Sequence, residues 1–131
     1  MSIKYIAPVG GGAVLAQARI PGVRTLQNLQ NVLAATVTTL GIAGTYTSDG
    51  ITCTRFGRLV GFVYADQAGD LYIEQSADGT NWYVSAHVAV AAGTNNITFS
   101  EEVVAPLCRA RYVNGASAQG TFQLVMNGRA I

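Results

Sequence analysis

Leu71-Tyr72-Ile73-Glu74-Gln75-Ser76-Ala77-Asp78-Gly79-Thr80-Asn81-Trp82-Tyr83-Val84 is the stretch whose reading decides the fold. Leu71, Ile73 and Gln75 alternate with Tyr72, Glu74 and Ser76, the period-2 pattern of a strand with two unlike faces. Asp78-Gly79 supplies a tight turn, since glycine accepts positive φ without steric penalty. Trp82, the largest apolar side chain in the chain, opens the return strand and is expected to plug the core. The stretch reads as a β-hairpin and contains nothing that resembles catalytic chemistry.

Outward from this hairpin the β signals continue in both directions. Upstream, Thr45–Thr47 and Ile51–Phe56 are short strand candidates separated by a Ser48-Asp49-Gly50 turn. Leu59–Tyr64 is nearly all apolar and suits a strand buried on both faces. Residues 66–70 turn the chain into the hairpin. Downstream, Trp82–Ala91 precedes a turn at residues 92–96. Ile97–Val104 follows, bent near Glu101-Glu102 and closed by Pro106. Leu107–Val113 and Thr121–Met126 complete the series. Strands recurring every ~8–12 residues indicate an all-β sandwich or barrel. Connections this short require antiparallel pairing. The expected architecture is an antiparallel β-sandwich over residues 44–131, jelly-roll-like, with an immunoglobulin-like arrangement as the alternative.

Residues 1–43 differ in character. Met1–Gly22 is rich in Gly and Ala, contains Pro8 and Pro21, and shows no sustained period. Arg24–Thr36 carries Leu26, Leu29, Val32 and Leu33 at spacing compatible with a short amphipathic helix. Thr36-Val37-Thr38-Thr39 favours extended chain. The region is expected to be an extended N-terminal arm or a short helix. Its apolar residues Ile3, Tyr5, Ile6, Val9, Val14, Leu15, Ile20, Leu26 and Leu29 are the candidate partner contacts. Lys4 and Ala16-Gln17-Ala18 imitate a signal peptide, but Pro8 and Gly10-Gly11-Gly12 break its apolar run, so an uncleaved start is expected.

Composition narrows the function classes. The 131 residues are 50% apolar but only 11% charged, against about 25% in ordinary soluble domains. Interface cores are depleted in charge, so part of the surface is expected to be covered by other protein, with a thermostable or merely neutral monomer as the alternative. A net charge of +1, with no basic run, argues against nucleic acid as partner. No uninterrupted apolar run reaches membrane-spanning length.

The chemistry-bearing residues are few. His87 is the single histidine, and a Ser-His-Asp arrangement would have to combine it with Ser76 or Ser85. Neither serine lies in a nucleophile-elbow motif, so no catalytic residue is assigned, and His87 reads as a strand histidine facing solvent or a neighbour. Asp66, Asp70 and Asp78 lie near turns, where aspartates cap their own backbone more often than they bind calcium. No metal or cofactor is expected. Cys53 and Cys108 fall within expected strands and read as two buried thiols, with one disulfide as the alternative. In Leu107–Gly115, Leu107, Arg109 and Arg111 share one strand face, and Cys108, Ala110 and Tyr112 share the other. Arg109 and Arg111 suit an anionic ligand, a carboxylate across a subunit boundary, or Glu74, Glu101 or Glu102 on adjoining strands.

Two stretches carry a resemblance. Leu71–Trp82, and Arg109-Ala110-Arg111-Tyr112-Val113-Asn114-Gly115 followed by Ala118–Leu124, resemble a pattern in tailed-bacteriophage virion proteins, among them capsid decoration (cement) proteins, head fibres and tail components. The likeness covers roughly residues 62–126. It implies a non-enzymatic structural protein on the outer capsid surface of the virion. Its implied partners are the major capsid protein and further copies of itself, expected as a homotrimer. A tail, baseplate or fibre component is the alternative. A fainter similarity, to discoidin-type carbohydrate-binding sandwiches, implies glycan recognition instead.

Overall fold

The computed structural model describes residues 30–93 and 97–130. The chain divides into Met1–Asn31 and Val32–Ile131, and the second unit holds the sandwich. Its strands are β1 (Gln30–Thr36), β2 (Thr45–Thr47), β3 (Ile51–Thr52), β4 (Arg58–Ala65), β5 (Gly69–Ser76), β6 (Tyr83–Val90), β7 (Ile97–Glu102), β8 (Leu107–Asn114) and β9 (Phe122–Arg129). One sheet has the order β1-β9-β4-β7. The other has β2-β8-β5-β6, with β3 also paired to β8.

The topology is that of a long hairpin rolled over on itself. β5 pairs with β6, β4 with β7, β2 and β3 with β8, and β1 lies beside β9. Rolling that ladder adds the β4–β9 and β5–β8 pairs that join it into two sheets. This is the expected jelly roll.

Between the sheets lies a core to which β8 and β9 contribute by strict alternation. Leu59, Val63 and Ala65 of β4 meet Gly128, Leu124 and Phe122 of β9 in register, on the inward side. From the other sheet come Leu71 and Ile73, with Cys108, Ala110 and Tyr112. The Tyr112 and Phe122 rings contact each other at 4.8 Å between centroids. Cys53 and Cys108 are both buried free thiols.

Polar residues of the recurring motif fasten the loops to this body. The Gln75 amide oxygen accepts from the Val104 and Ala105 amides at 2.8 and 3.2 Å, and its NH2 donates to the Glu102 carbonyl at 2.8 Å. A single side chain on β5 thus holds the β7–β8 loop. Asn114 donates to the carbonyls of Gly41 and Ser117, both at 2.8 Å. Gln119 accepts from the Leu40 amide at 2.8 Å through its side chain and donates to the Leu40 carbonyl at 2.9 Å through its backbone.

One open alternative is resolved and two local expectations are corrected. Residues 30–36 are a strand, although the spacing of Leu26, Leu29, Val32 and Leu33 permits a helix. Leu33 and Ala34 are buried in the core while Val32 is exposed, so β1 extends the sheet ahead of residue 44. Ser48-Asp49-Gly50 does not fold β2 back onto β3. Both strands run along β8, and between them the Ser48 amide donates to the Ala110 carbonyl while its hydroxyl accepts from the Ala110 amide, each at 2.9 Å. The serine hydroxyl stands in for a backbone acceptor, and the strand candidate Ile51–Phe56 shortens to Ile51–Thr52. Trp82, finally, is no core plug: it is half-buried on the outer face of the β2–β8–β5–β6 sheet.

Candidate functional site

That outer face is the chemically richest part of the described surface, and strand register builds it. Tyr72 of β5 lies opposite His87 of β6 and Arg111 of β8; Glu74 lies opposite Val84 and Arg109. The first row is a continuous stack across three strands. The Tyr72 and His87 rings are parallel within 8° at 4.7 Å, and the Arg111 guanidinium covers Tyr72 at 4.2 Å. His87 Nε2 is 2.8 Å from Asp70 Oδ1.

In the second row a single carboxylate holds both arginines. Arg109 Nε donates to Glu74 Oε1 at 2.7 Å, and Arg111 Nε to Glu74 Oε2 at 3.0 Å. The Glu74 side chain is only 6% exposed beneath arginine side chains that are 25% and 28% exposed. Burial is the strongest single influence on the Glu74 carboxyl and pushes it up. The hydrogen bonds and charges of Arg109 and Arg111 together outweigh burial and hold it below the usual carboxylate range.

The β5–β6 turn caps this pair. The Ser76 hydroxyl accepts from the Gly79 amide at 2.8 Å. Asp78 Oδ1 accepts from the Thr80 and Asn81 amides, both at 2.9 Å. These backbone bonds hold the Asp78 carboxyl far below its ordinary range. Gly79 takes φ of 80°, which a side chain would strain. The turn curls over the sheet so that the Trp82 ring lies 4.3 Å from the Arg109 guanidinium. Its edge rests on Gly50, where an added Cβ would stand 2.8 Å from the ring.

Arg109 and Arg111 are therefore brought together by Glu74, one of the three carboxylates considered for them. Ile3, Tyr5, Ile6, Val9, Val14, Leu15, Ile20, Leu26 and Leu29 lie outside the described residues. His87 faces Asp70, whereas Ser76 serves the turn and the Ser85 hydroxyl hydrogen-bonds Gln75 and the Ile73 carbonyl; the components of the considered triad are thus engaged separately. Asp66 accepts from the Gly120 and Thr121 amides. Among the described residues no three His, Cys, Asp or Glu side chains gather as a metal site. The outward position of His87 agrees with its reading as a strand histidine facing solvent or a neighbour, whereas the outward roles of Tyr72 and Trp82 were missed. Tyr72 carried a signal, since it shares Glu74's face by period 2.

Comparison with known proteins agrees with this architecture. The Phage-like element PBSX protein XepA of Bacillus subtilis (strain 168) is 36% identical over 76 residues, 58% of this chain and 27% of that protein. The crystal structure of PBSX exported protein XepA superposes with a TM-score of 0.73 at 28% identity, covering 86% of this chain and 40% of that one. The chain thus spans well under half the length of this relative. A protein of the Bacillus endospore appendages, which form disulfide-linked pili, shares the fold at a TM-score of 0.51 and 15% identity, covering 78% of this chain and 88% of that one. The family described as uncharacterised protein YqxG N-terminal domain matches residues 22–128. The chain belongs to the YqxG N-terminal domain family.

Proposed function

We propose that this chain is a non-enzymatic structural module of a phage-type particle, acting as a decoration protein on the outer capsid surface. Its partners in this reading are the major capsid protein and further copies of itself, as a homotrimer. The observation that carries the reading is the kinship with XepA, a phage-element protein, across 86% of the chain. The motif residues support a structural role. Gln75, Ser76, Asp78, Asn114 and Gln119 are engaged in holding loops, and Glu74, Arg109 and Arg111 hold one another. Repeated weak contacts over a shell sum to firm attachment through multivalency.

Cosedimentation tests the proposal: purified protein is mixed with phage heads lacking it and, separately, with isolated tails. Saturable binding to heads at a fixed copy number per capsomer is expected. Binding to tails alone would transfer the protein to the tail. A carbohydrate-binding role draws on the outward position of Trp82 and Tyr72. However, Tyr72 has Arg111 on its ring and His87 stacked against it, which leaves it little face for a sugar.

A further inference from the structure

On the outer face of the β2–β8–β5–β6 sheet Arg109 and Arg111 stand against Glu74, while Asp70 of the same face is engaged by His87. Glu74 supplies one carboxylate to two guanidiniums. Arg109 gives it only Nε, and Arg111 gives it Nε and one terminal nitrogen. Both terminal nitrogens of Arg109 and one of Arg111 have no partner among the described residues. Stacking on Trp82 and Tyr72 and the bonds to Glu74 fix the guanidinium planes. The free edges are held in place before any ligand arrives, and a guanidinium edge is matched in geometry to a carboxylate.

We propose that this face is a protein-docking surface on which Arg109 and Arg111 receive two carboxylates presented two residues apart on an extended acidic segment of a partner. Spacing supports the match. Arg109 and Arg111 are alternate residues of β8, so their Cα atoms lie about 6.8 Å apart, the distance between alternate side chains of any extended peptide. The surrounding residue types favour protein over polymeric sugar or nucleic acid. Trp, Tyr and Arg are the residues enriched at energetic centres of protein interfaces. Val84, 50% exposed, lies beside Glu74 in the same row and adds apolar area. Attachment of a phage module through this face rests on the role proposed above; the docking chemistry itself does not.

The test titrates the full chain with a synthetic peptide of alternating glutamate and valine, and with a peptide of the same composition whose glutamates are contiguous. The single tryptophan, Trp82, reports binding through its fluorescence because it touches Arg109. Saturable binding of the alternating peptide is expected, weakened about tenfold or more by Arg111→Gln in a variant whose circular dichroism is unchanged. Equal binding of both peptides, no effect of Arg111→Gln, or tighter binding of polygalacturonate or single-stranded DNA would overturn the proposal. If the alternating peptide binds as described and heads do not, the docking face stands and the decoration role falls. If heads bind but the peptide does not, the reverse holds.

Discussion

Glu74 and Arg109 stand directly opposite each other in the β5–β8 register, and their charged groups meet at 2.7 Å. A buried carboxylate here organises two arginines, and removing it strands both. Glu74→Ala is expected to cost about 3 kcal/mol in urea denaturation, as when one partner of a buried pair is lost. The carboxyl lies below its ordinary value of 4.5 in the folded protein. Its stabilising contribution is therefore complete above that value and lost as pH falls below it, toward the folded pKa. Acid titration of stability should be shallower for Glu74→Gln than for the native chain over this range.

Gln75 is 2% exposed and satisfies two backbone amides and one carbonyl of the β7–β8 connection. Gln75→Ala should cost about 3 kcal/mol, because each group left buried without a partner is penalised by about 1–3 kcal/mol. Amide hydrogen exchange would locate the damage. Val104 and Ala105 should lose protection first, ahead of the core of β5.

Gly50→Ala tests the seat of Trp82. The new methyl group would overlap the ring at 2.8 Å, so the indole must lift from Arg109. A red-shifted emission from this single tryptophan is expected, with about 1 kcal/mol of destabilisation from the lost stacking. Unchanged emission would mean that the ring is held by something other than Gly50 and Arg109.

The two cysteines should be chemically silent in the folded protein. Burial, then the neighbouring Cys53, pushes the Cys108 thiol up to about 12, and burial raises Cys53 as well. The thiolate is the reactive form, so iodoacetamide at pH 8 should label the native chain at least about a hundredfold more slowly than the chain in guanidinium. Fast labelling of either residue without denaturant would contradict the buried placement.

The hairpin and the two faces of β8 were legible because both depend on neighbours in sequence. Period 2 assigns Arg109 and Arg111 to one face and Cys108, Ala110 and Tyr112 to the other, and Asp78-Gly79 marks the reversal. What escaped depends on partners far along the chain. Leu26, Leu29 and Leu33 fit a helical repeat, and only the edge offered by β9 draws residues 30–36 into a strand. The choice of Glu74 over Glu101 or Glu102 required the β5–β8 register. Trp82 follows a turn, where alternation does not yet apply, so its side was set by how the turn curls. Ser48 posed a similar difficulty, since a hydroxyl replacing a backbone acceptor leaves no periodic trace.

The place of β1 beside β9 bears on how the chain is made. A ribosome releases Gln30–Thr36 well before Phe122–Arg129, so β1 has no sheet neighbour until β9 emerges. Contacts between such distant segments slow folding, and an unpaired strand edge in the meantime invites association with other chains. The nascent sandwich must therefore wait, largely unsealed, for β9. A chain ending before Phe122 would leave both β1 and β4 without the neighbour they share.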